Sequence, residues 1–267
     1  MNESGLLFTK ILNCDYASLY LNQDLHLDRS KSSLIASVLK RRITGEPIEY
    51  ILGETEFMGL KFKVNPDVFI PRPETEILVE TAVSLVQSSE TRVQGILDIG
   101  TGSGCIAVSL AKLLRNVEIT ATDISQEALK IAKYNGILNE VNHKIRFINS
   151  DLFNNYELRT MNYELILSNP PYISTLGFDN LQPEISYEPR IALDGGKDGL
   201  DFYRKIIGGS AYYLEQNGYL IMEMGFGQSN AVKNIFQKSR NFEIIEVVKD
   251  YQNIDRVIVT QRKKKDG

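Results

Sequence analysis

Gly95-Ile96-Leu97-Asp98-Ile99-Gly100-Thr101-Gly102-Ser103-Gly104 decides the fold. An apolar strand, Gly95 to Ile99, runs straight into a loop with glycine at every second position, and an apolar helical stretch, Ser103 to Leu114, follows at once. Glycines there let backbone approach a ligand closely, and the helix N-terminus supplies unpaired NH groups. The spacing is GxGxG, one residue short of the dinucleotide GxGxxG, which disfavours a pyrophosphate-binding role.

Outward from this unit, strand and helix alternate. A helix is expected over Glu74 to Val86, strands over Val117 to Thr122, Lys144 to Asn149 and Tyr163 to Ser168, and a helix over Ser125 to Leu138. Such alternation predicts an α/β fold with a doubly wound, mostly parallel sheet. The C-terminal part departs from it, with helices over Asp198 to Gln216 and Ser229 to Ser239 and a strand over Tyr219 to Met224. Phe242 to Lys249 and Ile254 to Gln261 complete the sheet, seven strands in all, as a terminal antiparallel pair. Upstream, residues 1–52 carry helical periodicity only (Leu6, Leu7, Ile11, then Leu34, Ile35, Val38, Leu39), with Asp28 as an N-cap. Glu54 to Val64 alternates around Gly59 as a β-hairpin, and Pro66, Pro71 and Pro73 stiffen the connection to the next helix. The expected organisation is a small helical domain over 1–52, a hairpin and proline-rich hinge over 53–72, and an α/β domain over 73–267.

The carboxyl ends of the expected parallel strands carry polar residues, where open α/β sheets bind ligands. Asp98 is placed either to meet a cationic amino group or to orient the glycine loop. Asp123 ends the strand Ile119 to Asp123 and is placed to accept both ribose hydroxyls of a nucleoside; its alternative role is a helix N-cap, which Ser125 can fill itself. Asp151 sits at the next strand tip, with Leu152 and Phe153 able to flank an adenine ring. At the fourth tip the strand stops at Asn169-Pro170-Pro171-Tyr172. The prolines fix φ and remove two backbone donors, so the loop is rigid. It offers the Asn169 carboxamide and the Pro170 carbonyl as fixed acceptors beside the Tyr172 ring, which suits a planar group carrying an NH2.

Composition narrows the class. With 30 Lys+Arg against 34 Asp+Glu the net charge is −4, without the basic excess of a protein that lives on phosphate backbones. Cys14 and Cys105 form no CxxC, and His26 and His143 have no motif neighbours, so neither a metal site nor Ser-His-Asp hydrolysis is expected. No apolar run approaches a membrane span and the N-terminus lacks a signal-like core, so a cytoplasmic protein with no membrane partner is expected.

Asp98 to Gly104 resembles the S-adenosylmethionine loop of class I methyltransferases, and Asn169 to Tyr172 resembles the motif of those that methylate planar NH2 groups. Gly45-Glu-Pro-Ile-Glu-Tyr-Ile-Leu-Gly53, Phe69-Ile-Pro-Arg-Pro-Glu-Thr75 and Ala192-Leu-Asp-Gly-Gly-Lys-Asp-Gly-Leu200 resemble the HemK/PrmC family, the glutamine-N5 methyltransferases of class-1 peptide chain release factors. The likeness runs from about residue 28 to residue 259. It implies a Rossmann-like methyltransferase domain, S-adenosyl-L-methionine as cofactor, and a release factor as protein substrate with no direct nucleic-acid contact. Gly100, Thr101, Gly102, Ser103, Gly104, Asp123 and Asn169 would contact the cofactor, and Asn169, Pro170, Pro171 and Tyr172 the substrate glutamine. Leu152 stands where some members carry Trp. Arg72 and Glu74, in the hinge, are placed either to touch the substrate loop or to form a structural salt bridge. A branch that methylates a ribosomal protein carries the same tetrapeptide, and an exocyclic amine of nucleic acid suits the same acceptors, though net acidity weighs against it. A nicotinamide oxidoreductase and a noncatalytic nucleoside-binding module are disfavoured by the glycine spacing and by the tetrapeptide respectively.

Overall fold

The computed structural model describes residues 3–21, 27–88, 93–161 and 163–264; His26 and Lys265 lie outside them. The chain begins with four helices, α1 (Glu3–Leu12), α2 (Tyr16–Leu21), α3 (Arg29–Ile43) and α4 (Ile48–Leu52). Asp28 caps α3, its side chain accepting from Lys31 N at 2.8 Å and satisfying one of the free amides of the first turn.

Strands β1 (Glu54–Phe57) and β2 (Leu60–Lys63) pair antiparallel, turned by Met58 and Gly59 at φ 52° and 69°. Both central residues lie in the left-handed region, the geometry that matches strand twist in a tight hairpin. The hairpin is fastened to the α/β body. Asn135, from the helix Gln126–Leu138, accepts from Lys63 N (2.7 Å) and donates to Lys63 O (2.9 Å), and Phe57 and Phe62 are buried in the same core as Ile96, Ile119 and Leu165.

Pro73 opens α5 (Pro73–Ser88), where its missing NH and fixed φ fit the first helical turn. The main body continues as β3 (Gly95–Ile99), α6 (Cys105–Leu113), β4 (Glu118–Asp123), α7 (Gln126–Leu138), β5 (Ile145–Asn149), β6 (Tyr163–Ser168), α8 (Asp201–Ser210), β7 (Leu214–Glu223), α9 (Ser229–Ser239), β8 (Phe242–Lys249) and β9 (Asp255–Arg262). The seven-stranded sheet has the order β5-β4-β3-β6-β7-β9-β8, with β5 through β7 parallel and β9 antiparallel to both its neighbours. Its central strands are apolar on both faces, Ile96 and Leu97 in β3 and Leu165, Ile166 and Leu167 in β6 being fully buried. That is the pattern of a parallel sheet covered by helices on both sides. The chain moves outward through β4 and β5 on one side of β3 and through β6 and β7 on the other. The carboxyl ends of β3 and β6 therefore flank a topological switch point, where a crevice opens.

One expected element differs. The helix expected over Asp198 to Gln216 is confined to α8, and Leu214, Glu215 and Gln216 belong to β7. Leu214 pairs with Tyr163 and Tyr219 with Leu165, so residues 215–218 bulge out of the ladder, with Asn217 at φ 63°. The polar Asn217-Gly218 pair marks a bulge within a strand rather than the turn in front of one.

Candidate active site

The tips of β5, β4, β3 and β6, four neighbours in the sheet, line one cavity of about 430 Å³. On its β3 side the glycine loop turns with Gly100, Gly102 and Gly104 at φ 73°, 55° and 82°. Gly104 is required twice over, because a Cβ there would also meet Ala132 of α7 at 3.0 Å. The loop is pinned to β4 by backbone bonds from Gly100 N and Thr101 N to Thr122 O, at 2.9 and 2.8 Å.

Asp123 holds the loop from the other side. Its carboxylate accepts from Gly102 N at 2.8 Å and Ser125 N at 2.9 Å, while Ser125 caps α7 by accepting from Ala128 N. Burial raises the Asp123 carboxyl above its ordinary range, and the bonds from Ser125 and Gly102 pull the other way. It still lines the cavity, and each oxygen keeps a lone pair for a ligand hydroxyl.

Asp98 lies below the loop, off the cavity wall and fully buried. It accepts from the Thr101 hydroxyl at 2.7 Å, a contact that suits the loop-orienting one of its two expected roles. Burial, then the Asp123 charge, push its carboxyl up to about 7 against the Thr101 bond. Asp98 Oδ1 and Ser103 Oγ are buried without a hydrogen-bond partner among the described residues. Gly100, Thr101 and Ser103 line the cavity, whereas Gly102 and Gly104 shape the loop behind it. At the β5 tip, Asp151 is exposed and Leu152, at φ 51°, turns its side chain to the wall, with Ser150 Oγ donating to Leu152 O. Phe153 does not flank the cavity: its ring stacks on Tyr213 at 4.6 Å and packs against Gly209 in α8.

Asn169, Pro170, Pro171 and Tyr172 form the β6 side. The Asn169 amide is held by its nitrogen, Nδ2 donating to Thr75 Oγ1 at 3.1 Å, and Thr75 donates in turn to Glu223 Oε2 at 2.7 Å. Among the described residues the Asn169 side-chain oxygen and the Pro170 carbonyl take no protein hydrogen bond. The tetrapeptide is clamped from behind by the segment 193–200. Ile173 N donates to Leu193 O and Gly195 N to Ile173 O, and Gln228 Nε2 donates to Tyr172 O. A Cβ on Gly195 would sit 2.7 Å from Pro171 O, and one on Gly199 would collide with Tyr172 O. These close approaches explain why positions 195 and 199 carry glycine.

Arg72 forms the structural salt bridge of its two expected roles, with the buried Glu188, whose other oxygen accepts from Ile70 N at 3.2 Å. It also lies over the Phe69 ring at 4.7 Å and on the cavity wall. Glu74 faces Arg256 at 3.9 Å. The loop around Glu188 supplies Ile185, Pro189 and Leu193 to the cavity and reaches the N-terminal helices through Glu184 to Arg42 and Tyr187 to Thr44 O. Thr75, Glu188 and Glu223 do not stand out in the sequence. Thr75 closes the Phe69 to Thr75 stretch, in which the charged residues Arg72 and Glu74 are the more conspicuous.

Residues 61–185 match the methyltransferase small domain family, and residues 2–53 match the PrmC N-terminal domain. A release factor glutamine methyltransferase of Thermodesulfovibrio yellowstonii is 41% identical over 265 residues, 99% of this chain and 93% of that one. The chain belongs to the release factor glutamine methyltransferase family. A second member, from Fusobacterium nucleatum, is 39% identical over 97% of this chain and 73% of its own length. A methyltransferase of Pyrococcus furiosus shares the fold of this family member, with a TM-score of 0.56 at 16% identity over 89% of this chain and all of that one.

Proposed function

We propose that this methyltransferase transfers a methyl group from S-adenosyl-L-methionine to the side-chain amide nitrogen, N5, of a glutamine in class-1 peptide chain release factors. The single observation that carries the reading is the Asn169 amide. Its nitrogen is anchored to Thr75 and its oxygen, like the carbonyl of Pro170, takes no protein hydrogen bond among the described residues; both residues line the cavity, two acceptors for the two hydrogens of one NH2. The names of relatives that match nearly the whole chain support the choice of glutamine and of release factor.

The residues suit the cofactor. A cavity with mostly apolar walls takes a nucleoside and a thioether chain. Asp123 accepts ribose hydroxyls, Leu152 and the exposed Asp151 flank the base, and Gly100, Thr101 and the unpartnered Ser103 hydroxyl face the amino-acid end. Asp98, Gly102 and Gly104 hold the loop in shape. When bound, the cofactor supplies an electrophilic methyl group on a sulfonium.

A carboxamide nitrogen is a poor nucleophile, because its lone pair is delocalised into the carbonyl. Bonds from its two hydrogens to Asn169 and Pro170 orient it and favour the positive charge that develops on it. Tyr172 and Pro171 shape the slot. No side chain of the tetrapeptide is a base, so the proton leaves after transfer. Residues 1–52 would recognise the protein substrate, with 53–72 fixing them to the catalytic body over 73–267. A release factor is a cytoplasmic substrate, and the enzyme would act on it there. Among the described residues no helix is long and apolar enough to cross a membrane.

Incubation of purified release factor with the enzyme and isotopically labelled cofactor, with intact-mass and peptide analysis of the product, tests the reading. One added methyl on one glutamine is expected. Labelling of a ribosomal protein or of nucleic acid with an unlabelled release factor would refute it.

A further inference from the structure

Glu223 is fully buried at the tip of β7, beyond the cavity wall, and the methyl transfer described above makes no direct use of it. Its Oε2 receives the only hydrogen of the Thr75 hydroxyl. The backbone of the same residue is fixed, the Tyr203 hydroxyl donating to Glu223 O at 3.0 Å. A buried carboxylate with a raised pKa and a hydrogen-bond path to the site calls for a role.

The role comes from the count of hydrogens. A carboxamide presents an oxygen and an NH2 of nearly the same size, so a slot that holds one orientation by shape alone holds the other as well. A threonine hydroxyl has one hydrogen to give. An ionised carboxylate is an acceptor only. With Glu223 ionised, Thr75 must donate to it, and the lone pair of Thr75 facing Asn169 is satisfied only by NH2. The Asn169 oxygen is then turned to the cavity. With Glu223 protonated, its own hydrogen goes to Thr75, the Thr75 hydrogen turns to Asn169, and the amide is satisfied in the flipped orientation. An NH2 then faces the substrate NH2, donor against donor.

We propose that Glu223 is a positioning residue that, acting through Thr75, sets the orientation of the Asn169 amide, so that methyl transfer is competent only while Glu223 is ionised. This rests on the reading of Asn169 as an acceptor for the substrate amide. The charged and titratable groups facing Glu223 are Glu74 from α5, Arg256 from β9, Tyr172 after β6, Tyr203 from α8 and Cys105 from α6. Burial is the largest influence and raises its carboxyl to about 7, Glu74 acting the same way, while the Thr75 bond, Arg256 and the nearby Asn169 amide oppose it. The switch therefore falls within the range of ordinary assays.

Single-turnover methyl transfer to release factor at saturating cofactor, from about pH 5.5 to 8.5, tests the inference beside cofactor affinity measured by calorimetry. The wild-type rate should rise with pH and level off. Thr75→Val, which removes the hydroxyl at constant shape, should lower the plateau rate on the order of 10-fold or more, as loss of orientation does. Thr75→Ser should restore it, and cofactor affinity should stay within about threefold, a misplaced amide being a fault of orientation rather than of cofactor binding. Glu223→Gln keeps an acceptor for Thr75 and cannot ionise, so its rate should be independent of pH over the same range. A Thr75→Val rate within threefold of wild type, or an unchanged pH rise in Glu223→Gln, would overturn the proposal. A substrate-free readout separates this inference from the functional reading: the side-chain amide nitrogen resonance of Asn169 should titrate in the wild type and not in Glu223→Gln. Titration there without methylation of release factor would retain the relay and dismiss the substrate, whereas a flat resonance in the wild type would dismiss the relay.

Discussion

On the β3 and β4 side of the cavity, the Asp123 carboxylate takes its bonds from Ser125, two residues away, and from Gly102, 21 residues back. On the β6 side, Asn169 leans on Thr75, 94 residues earlier, and Thr75 on Glu223, 148 residues later. The first wall is shaped by backbone and short-range turns, the second by side chains from α5 and β7 and by the backbone of the segment 193–200. A wall of the first kind forms wherever strand, glycine loop and acid occur together. The second forms only once the whole sheet is assembled, and it is the wall proposed to hold the reacting amide.

The largest effect that sharpens this contrast is expected from Asn169→Ala. It removes the acceptor and leaves Pro170 and Pro171 to keep the loop, so the single-turnover rate at saturating cofactor should fall about 100-fold or more, as for loss of one preorganised polar contact. Cofactor affinity should change little. Asn169→Asp keeps an oxygen but adds a charge and loses the donor to Thr75, and it should be similarly impaired. Near wild-type transfer by Asn169→Ala would mean that both walls merely bind.

Asp123→Ala should show the opposite division. Each charge-assisted hydrogen bond lost to the ribose is worth on the order of 1.5 to 3 kcal/mol, and Gly102 N would lose its partner as well. Calorimetric titration should show weakened cofactor binding, with the rate at saturation much less affected. Unchanged affinity would remove Asp123 from the cofactor wall.

The same contrast governs what was legible in the sequence. Gly95 to Gly104, Asp123 and Asn169 to Tyr172 stand at strand tips because a short apolar run, a glycine loop or a proline pair fixes them locally, and the α/β fold with its seven-stranded sheet comes from the alternation of strand and helix. Thr75 and Glu223 carry no local signal. A threonine in a first helical turn and an acid ending a strand are ordinary surface residues until the sheet brings them together. Phe153 misled for a related reason: its neighbour Leu152 faces the cavity, but the positive φ there turns the chain, and the next ring goes to Tyr213 instead. The helix expected to reach Gln216 stops at Ser210, because Leu214 to Gln216 already belong to β7 ahead of a bulge that carries no signal of its own in the sequence.

Gly199→Ala probes the assembled wall through its backbone. The position has φ 75° and a Cβ would collide with Tyr172 O, whereas Gly59 in the hairpin turn has φ 69° and open space around it. A left-handed non-glycine residue alone costs about 1 kcal/mol, so Gly59→Ala should lower denaturant stability by about that much. Gly199→Ala should lower it by more, up to roughly 3 kcal/mol as strain is taken up, and should also slow methyl transfer, since Tyr172 must shift. Equal losses in the two variants would show that the clamp behind the tetrapeptide is loose.

The smallest expected effect is on stability alone and comes from Asp98. Its folded-state carboxyl stands at about 7, raised mainly by burial, against an ordinary value of 3.8. Between those values the folded chain keeps a proton that the unfolded chain has released. Stability from this group is therefore fully present below about pH 4 and is lost as pH rises through about 7. Asn at this position has no proton to release, so the stability of Asp98→Asn relative to wild type should improve steadily from pH 5 to pH 8. At the upper end the gain should reach about 1 kcal/mol or more, a melting shift of roughly 2–4 °C for a chain of this size. Differential scanning calorimetry at several pH values measures it. Glu223→Gln should follow the same stability trend, since that carboxyl is also raised to about 7. The two part company in catalysis: Asp98 acts on a loop that only binds, so its variant should keep the wild-type rise of rate with pH at saturating cofactor, and Glu223→Gln should lose it. If Asp98→Asn flattened the rate profile as well, the two walls would be coupled through the β3–β6 pair, and the separation of binding from positioning would fail.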